Sequence, residues 1–191
     1  MQSLYCAGII FLISGSLAEA ISVGKASRQL TAWEYSIISV SMTTDNEELA
    51  GGETHIDRIS RGEYGLSGSL YTNVDVPQDF EVTVTIYRST DNGDTYKIQP
   101  YSLPRQTVYQ AMNSFYKNAI MPSVVNCSNL PQFKGTLEFI PATLWTFEKC
   151  QVNTDGFPQY MPDGWYKGVI ESHGYVNLIW TGVFSVKQRT F

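Results

Sequence analysis

The residue types on which many catalytic and metal sites depend are scarce in this sequence. Its 191 residues include three cysteines and two histidines. Neither His55 nor His173 lies near a cysteine in a ligand spacing, so the sequence offers no zinc site, and we predict no metal and no other cofactor. Charged residues make up 16% of the chain, against about 25% in an average protein. The formal net charge is −5 and no run of Lys or Arg occurs, so the sequence lacks the basic surface that binds nucleic acid or anionic membranes.

Known catalytic motifs are absent as well. The stretch GLSG at residues 65–68 approaches a nucleophile elbow but lacks its final spacing, and no phosphate-binding loop, metalloprotease motif or calcium loop occurs. His55 and Asp57 are two residues apart and would share one strand face. With no nucleophile identifiable beside them, we interpret the pair as an exposed polar strand edge, the alternative being a His–Asp dyad. We predict that the protein is not an enzyme, although a glycosidase-like pair of distant carboxylates stays open as an alternative.

A long apolar run occupies the N-terminus, MQSLYCAGIIFLISGSLAEA. A transmembrane helix needs about 20 apolar residues, and Ser14, Gly15 and Glu19 interrupt this run. Ala18 and Ala20 match the small residues of a signal-peptidase site, although no basic residue precedes the run. We predict that residues 1–20 are a secretory signal peptide and that residues 21–191 form one secreted, extracellular domain without an integral membrane segment.

Cleavage after residue 20 would remove Cys6 and leave Cys127 and Cys150 in an oxidising compartment. A disulfide is their expected fate there, and closing a loop of about 24 residues would stabilise the fold by about 3 kcal/mol. The triplet Asn126-Cys127-Ser128 is also a glycosylation sequon. Asn126 is therefore a candidate glycosylation site, although the paired cysteine disfavours its use.

Alternating apolar residues predict a mainly β fold. WEYSIISVSM, DFEVTVTIYRS and the final YVNLIWTGVFSVK alternate most clearly. Asn92-Gly93 predicts a hairpin turn, and residues 172–174 predict a turn that joins a C-terminal hairpin. The glycines of GEYGLSGSLYT indicate a bulge or a close approach by another segment, and TTDNEELAGG reads as a loop. We predict one antiparallel β-sandwich or β-cup.

One stretch, YSLPRQTVYQAMNSFYKNAIMP, has helical periodicity. Pro104 suits a first helical turn, and Pro122 is expected to end the helix. The apolar stripe is either ordinary core or a cover over one mouth of a cavity. Its members are Val108, Ala111, Met112, Phe115, Ala119 and Ile120.

Several motifs together resemble a known family. In order they are WEY, RISRGEYGLSGSL, VTVTIYRS, YKIQPYSLPRQTVYQAMNSFYKN, CSNLPQF, FEKC and DGWYKGVIESHG. This set resembles the small secreted chemosensory proteins of flies, with the A group closest and the B group related. These proteins are similar to the ganglioside-activator and ML lipid-recognition proteins. The stretch CSNLP, with the helix before it, is the most specific part.

The resemblance implies a β-cup that holds an apolar ligand and has no catalytic role. The expected ligand is a long-chain hydrocarbon or lipid, such as a pheromone or cuticular lipid, which the protein binds or presents to a sensory receptor. The single cysteine pair departs from the disulfide-rich ML pattern, and a closed sandwich would show the same alternation. Two alternatives are therefore a lipid-presenting accessory protein for an extracellular hydrolase and an interaction domain without a cavity. The residues expected to line the cavity are Leu66, Leu70, Val82, Val84, Ile86, Met112, Phe115, Leu178, Trp180 and Phe184.

Overall fold

The computed structural model of the protein describes residues 31–154 and 157–189. The predicted signal peptide, residues 1–20, and Cys6 lie outside these ranges. Within them the chain forms nine β-strands and one helical region. The strands are Trp33–Thr44 (β1), Ala50–Ser60 (β2), Glu63–Thr72 (β3), Glu81–Ser89 (β4), Lys97–Ile98 (β5), Leu103–Thr107 (β6), Thr143–Cys150 (β7), Gly164–His173 (β8) and Leu178–Gln188 (β9).

The strands form two antiparallel sheets, which confirms the predicted fold class. The large sheet has the order β1-β9-β8-β4, and β4 also pairs with the short strands β5 and β6. The small sheet has the order β2-β3-β7. The turn from β1 to β2 brings one edge strand of each sheet together, so the sheets meet along this side.

The strand register shows which side chains face the interior. Residues paired directly across antiparallel strands point to the same side of the sheet. Val84 pairs with Ile170, Ile170 with Trp180, and Trp180 with Met42, so one apolar row crosses the large sheet. The alternate residues, such as Thr83, belong to the outer face. The predicted alternation of β1, β4 and β9 is therefore confirmed.

Glycines lie where the strands of the small sheet approach closely. The β3–β7 register shifts between Leu66 and Gly68, and a Cβ atom on Gly68 would lie 2.1 Å from the carbonyl oxygen of Glu53. This confirms the predicted bulge and close approach. The prediction of a loop through Gly51-Gly52 is wrong, because both residues lie in β2. The link between β1 and β2 is only five residues, 45–49.

The helical region consists of Val108–Ala111 (α1), a π-helical stretch Met112–Ile120 and Met121–Val124 (α2). The three parts are continuous, and we call residues 108–124 the helix. It confirms the predicted amphipathic helix. Its start differs from the prediction, because Pro104 lies in β6 and Thr107 caps the helix in a reciprocal capping box with Gln110.

The end of the helix also differs from the prediction. Pro122 does not end it, because the helical backbone continues through this proline to Val124.

Both predicted turns are present. Asn92 and Gly93 have φ angles of 57° and 98°, as a tight turn between β4 and β5 requires. Strands β8 and β9 form the C-terminal hairpin. The Cys127–Cys150 disulfide is also confirmed, with a Cα–Cα distance of 5.5 Å. It joins the chain just after the helix to the end of β7.

Candidate ligand-binding site

The buried apolar residues form two separate clusters. The first, which we call the large-sheet cluster, consists of Trp33, Met161, Tyr166 and Val186. The second, which we call the helix cluster, consists of Val76, Tyr109, Ile140 and Trp145. The first lies on the large sheet and the 157–161 segment, whereas the second joins the small sheet to the helix.

The predicted cavity residues lie on the inner faces around and between these clusters. Ile86 and Phe184 pack against the large-sheet cluster, and Leu70 and Met112 pack against the helix cluster. Leu66, Leu178 and Trp180 belong to neither cluster, and all seven of these residues are only partly buried. In a closed core, inward apolar side chains at the centre of a sheet are normally buried. These seven side chains therefore keep some accessible apolar surface.

Two predicted cavity residues differ from the rest. Val82 and Val84 are 8% and 9% exposed, so they form a buried part of the wall at β4. Their neighbour Ile86 is half-buried. The β4 wall is therefore closed near the helix start and more accessible further along the strand.

The helix connects the two clusters. Its Met112 side chain packs against the helix cluster, and its Phe115 ring meets Phe157 edge-on at 6.3 Å. Phe157 in turn meets Trp33 edge-on at 6.4 Å. The helix also packs beside β4 and β7, which lie in different sheets. Its apolar stripe is therefore core at one point and also covers the interior opposite the β1–β2 side.

A pair of glycines lies at the middle of the inner face of the large sheet. Gly168 in β8 pairs with Gly182 in β9, and both are buried. A Cβ atom on Gly182 would lie 2.6 Å from the indole ring of Trp180, so the indole lies over this glycine. We call the Gly168–Gly182 pair the floor of the interior. Its sequence signal was the glycine that interrupts the alternation in LIWTGVFSV, but the sequence alone could not show that a second glycine pairs with it.

Buried tyrosine hydroxyls find backbone partners. The Tyr35 hydroxyl donates to the Val152 carbonyl at 2.7 Å, and the Tyr109 hydroxyl donates to the Val76 carbonyl at 2.8 Å. Burial raises the pKa of Tyr35, and the hydrogen bond to Val152 opposes this shift only in part. Tyr35 therefore adds no charge to the interior at neutral pH.

The His55–Asp57 pair lies on the opposite, outer face of the small sheet, in an open groove of about 520 Å³. Their side chains are 3.5 Å apart and 56% and 38% exposed. Ser67 lies directly across from His55, but its hydroxyl accepts the Lys149 N–H at 2.9 Å. The described residues show no hydrogen bond between His55 and Ser67. This arrangement fits the predicted polar strand edge better than a catalytic dyad, which needs a nucleophile in contact with its base.

The sequon lies in an exposed turn after the helix. Asn126 is exposed, whereas Cys127 and Ser128 are half-buried. The Ser128 hydroxyl donates to the Val124 carbonyl at 2.8 Å. Glycosylation of Asn126 stays a prediction.

Residues 31–154 and 157–189 contain no group of three or more His, Cys, Asp or Glu side chains placed to hold a metal ion. Among the same residues, no helix has the length and apolar character needed to cross a membrane.

Comparison with protein families finds a match over residues 82–168 to a family described as "Protein of unknown function (DUF1091)". This family is placed in the ML lipid-recognition-like group. The matched region begins in β4, contains the helix and both disulfide cysteines, and ends within β8. A search of curated proteins finds no match.

Proposed function

We propose that this protein is a secreted, non-enzymatic chemosensory binding protein that holds an elongated apolar molecule between its two sheets. The observation that carries the proposal is the set of partly buried apolar side chains, such as Leu66, Phe115 and Trp180, that belong to neither of the two buried clusters. The resemblance to fly chemosensory proteins supports presentation of a pheromone or cuticular lipid to a sensory receptor. The match to an ML-like family supports the lipid class of the ligand.

The physical chemistry of such a site is sufficient for useful affinity. Removing a hydrocarbon from water gains about 0.8 kcal/mol for each CH₂ group. About ten buried methylenes then support micromolar binding once the costs of association are subtracted. A neutral interior suits this ligand, because an apolar chain gives a charged group nothing with which to pair.

The test is to express the full chain through an insect-cell secretory pathway and to analyse the purified protein by native mass spectrometry. Long-chain hydrocarbons and lipids are then titrated against a fluorescent apolar probe. A copurifying lipid, or saturable displacement of the probe, is the expected result. A folded protein with neither would contradict the proposal and favour a closed interaction domain.

The strand β9 offers a matched pair of variants. Trp180 faces the interior, whereas its neighbour Ile179 is on the outer face and 39% exposed. Trp180→Glu should abolish probe binding, and Ile179→Glu should keep it, because only the first places a charge in the apolar interior. Circular dichroism would check that both variants fold. Equal effects of the two substitutions would contradict the proposed location of the site.

A second candidate function is a lipid-presenting accessory protein for a hydrolase, which needs an apolar surface facing outward. Ile98, Tyr101 and Tyr160 are 68%, 43% and 61% exposed. Tyr101 lies between β5 and β6, and Tyr160 directly precedes Met161 of the large-sheet cluster. Extraction of lipid from vesicles, lost in a Tyr101→Asp, Tyr160→Asp double variant, would favour this function over simple carriage.

A further inference from the structure

Thr54 has a hydroxyl group without a partner. Its Oγ1 atom is covered and makes no hydrogen bond. The other such side-chain atom among residues 31–154 and 157–189 is Nε of Arg189, one residue beyond β9. Buried hydroxyls elsewhere in the interior do have partners, since the Tyr109 hydroxyl reaches the Val76 carbonyl and that of Ser172 donates to the Val176 carbonyl at 3.1 Å. Thr54 is therefore the exception that needs an explanation.

The position of Thr54 places this hydroxyl on the ligand side of the small sheet. Thr54 pairs with Gly68, and the neighbouring pairs are Gly52 with Leu70 and Ile56 with Leu66. Leu70 packs against the helix cluster, so this face of β2 and β3 is the inner one. Gly68 has no side chain, and a Cβ atom there would lie 2.1 Å from the Glu53 carbonyl oxygen and 2.9 Å from the Cα atom of Thr54, so the backbone of β3 lies close to Thr54. A turn of about 120° about χ1 would carry the hydroxyl of Thr54 to the position of its methyl group and the methyl group to that of the Cβ hydrogen, so the hydroxyl has a choice of directions.

The surroundings of Thr54 are neutral. The inner-face residues of β2 and β3 from Gly52 to Ile56 and from Leu66 to Leu70 carry no charge. Two arginines near strand ends also belong to the inner faces of the sheets, but each donates its hydrogen bonds to a backbone carbonyl. Arg58 is exposed and donates to the Ser60 carbonyl at 3.0 Å, and Arg88 donates to the Asp163 carbonyl at 2.6 and 3.2 Å. An ionised carboxylate placed beside Thr54 would thus be buried without a cation.

We propose that Thr54 is the polar anchor of the site and that the ligand is a neutral oxygenated lipid, such as a long-chain ester, ketone or alcohol. This inference rests on the proposed function. A turn about χ1 moves Oγ1 of Thr54 out of its covered position, and the ligand oxygen then accepts a hydrogen bond from it, while the hydrocarbon chain lies against Leu66, Leu70 and the large sheet. A buried hydroxyl left unpaired costs free energy that such an oxygen recovers.

The test compares ligands of equal chain length on three proteins. The ligands are hexadecane, methyl palmitate and ionised palmitate at neutral pH, and the proteins are the wild type, Thr54→Val and Thr54→Ser. Valine keeps the shape of threonine without its hydroxyl, and serine keeps the hydroxyl. The measured quantity is the ratio of the Kd of hexadecane to that of methyl palmitate. Comparing this ratio between proteins cancels the different solubilities of the two ligands in water.

Thr54→Val should lower the ratio about threefold to tenfold, the equivalent of one hydrogen bond, with the Kd of hexadecane unchanged. Thr54→Ser should keep most of the wild-type ratio, and ionised palmitate should bind more weakly than the ester. Without ligand, Thr54→Val should melt about 2–4 °C higher than the wild type, because an unpaired buried hydroxyl has been removed. Excess methyl palmitate should cancel this difference.

The outcomes separate the two proposals. If Thr54→Val retains the wild-type ratio, or if palmitate binds better than its ester, Thr54 is not a neutral anchor, while the carrier function stands. If the wild type binds none of the three ligands saturably, both the carrier function and the role of Thr54 as an anchor are contradicted.

Discussion

Removal of the Cys127–Cys150 disulfide should destabilise the protein by an amount that follows from its position. The two cysteines are 23 residues apart in sequence, so the loss of loop-closure entropy in the unfolded chain gives about 3.4 kcal/mol at 25 °C. For a domain of this size, such a loss lowers the melting temperature by about 7–14 °C. The variant to make is the Cys127→Ala, Cys150→Ala double substitution, because Cys150 is 4% exposed and a single substitution would leave a lone buried thiol.

The assay is thermal and urea unfolding followed by circular dichroism, for the wild type and the double variant, with and without reductant. Reductant should lower the midpoint of the wild type towards that of the variant and leave the variant unchanged. The disulfide also ties the end of the helix to β7 in the small sheet, so apolar probe binding should weaken as well. An unchanged midpoint in the double variant would refute the entropy argument.

Three further predictions concern the helix and the floor of the interior. Thr107→Ala removes the acceptor of the Gln110 N–H and should cost about 1 kcal/mol, seen as a lower melting temperature in calorimetry; an equal or higher value would contradict the cap. Burial raises the pKa of Tyr116 from 10.0 to about 12, so the unfolded chain loses this proton first and the free energy of unfolding should fall as the pH rises from about 10 to about 12. Tyr116→Phe should remove that part of the pH dependence, and the same pH slope in wild type and variant would contradict this. Gly182→Ala would set a Cβ atom 2.6 Å from the Trp180 ring and should displace the indole, at a cost of about 1–3 kcal/mol of stability. The near-ultraviolet circular dichroism should change, and an unaltered spectrum would show that the ring does not lie over this glycine.

The fold class followed from the sequence because strand alternation and a burial pattern are the same physical fact. The apolar residues Val82, Val84 and Ile86 alternate along β4, whose inner face is apolar. The helix stood out because the spacing of its apolar residues changes from two to three or four. The disulfide followed from the cysteine count. These features depend on nearby residues in the chain, so one sequence contains them.

Other features depend on segments that are far apart in sequence. The loop predicted through Gly51-Gly52 is part of β2, because the glycines are needed where β3 approaches and not for a turn. The helix begins at a capping box formed by Thr107 and Gln110, which the sequence contains. The prediction placed the start four residues earlier because it was based on Pro104. The unpaired hydroxyl of Thr54 could not be foreseen, since it depends on every neighbour that fails to reach it.

The pairing of β1 with β9 has a consequence for how the chain folds. Trp33 lies opposite Gln188, and Thr44 lies opposite Leu178. The first described strand of the large sheet therefore pairs with the last one in the sequence. During synthesis β2 and β3 can pair as a hairpin soon after they emerge, but β1 has no strand partner in its sheet until β9 has left the ribosome. Contacts between such distant segments slow folding. A chain truncated before Leu178 would leave the backbone N–H and C=O groups of β1 without their β9 partners, and such an unpaired strand is expected to promote aggregation or degradation of the fragment.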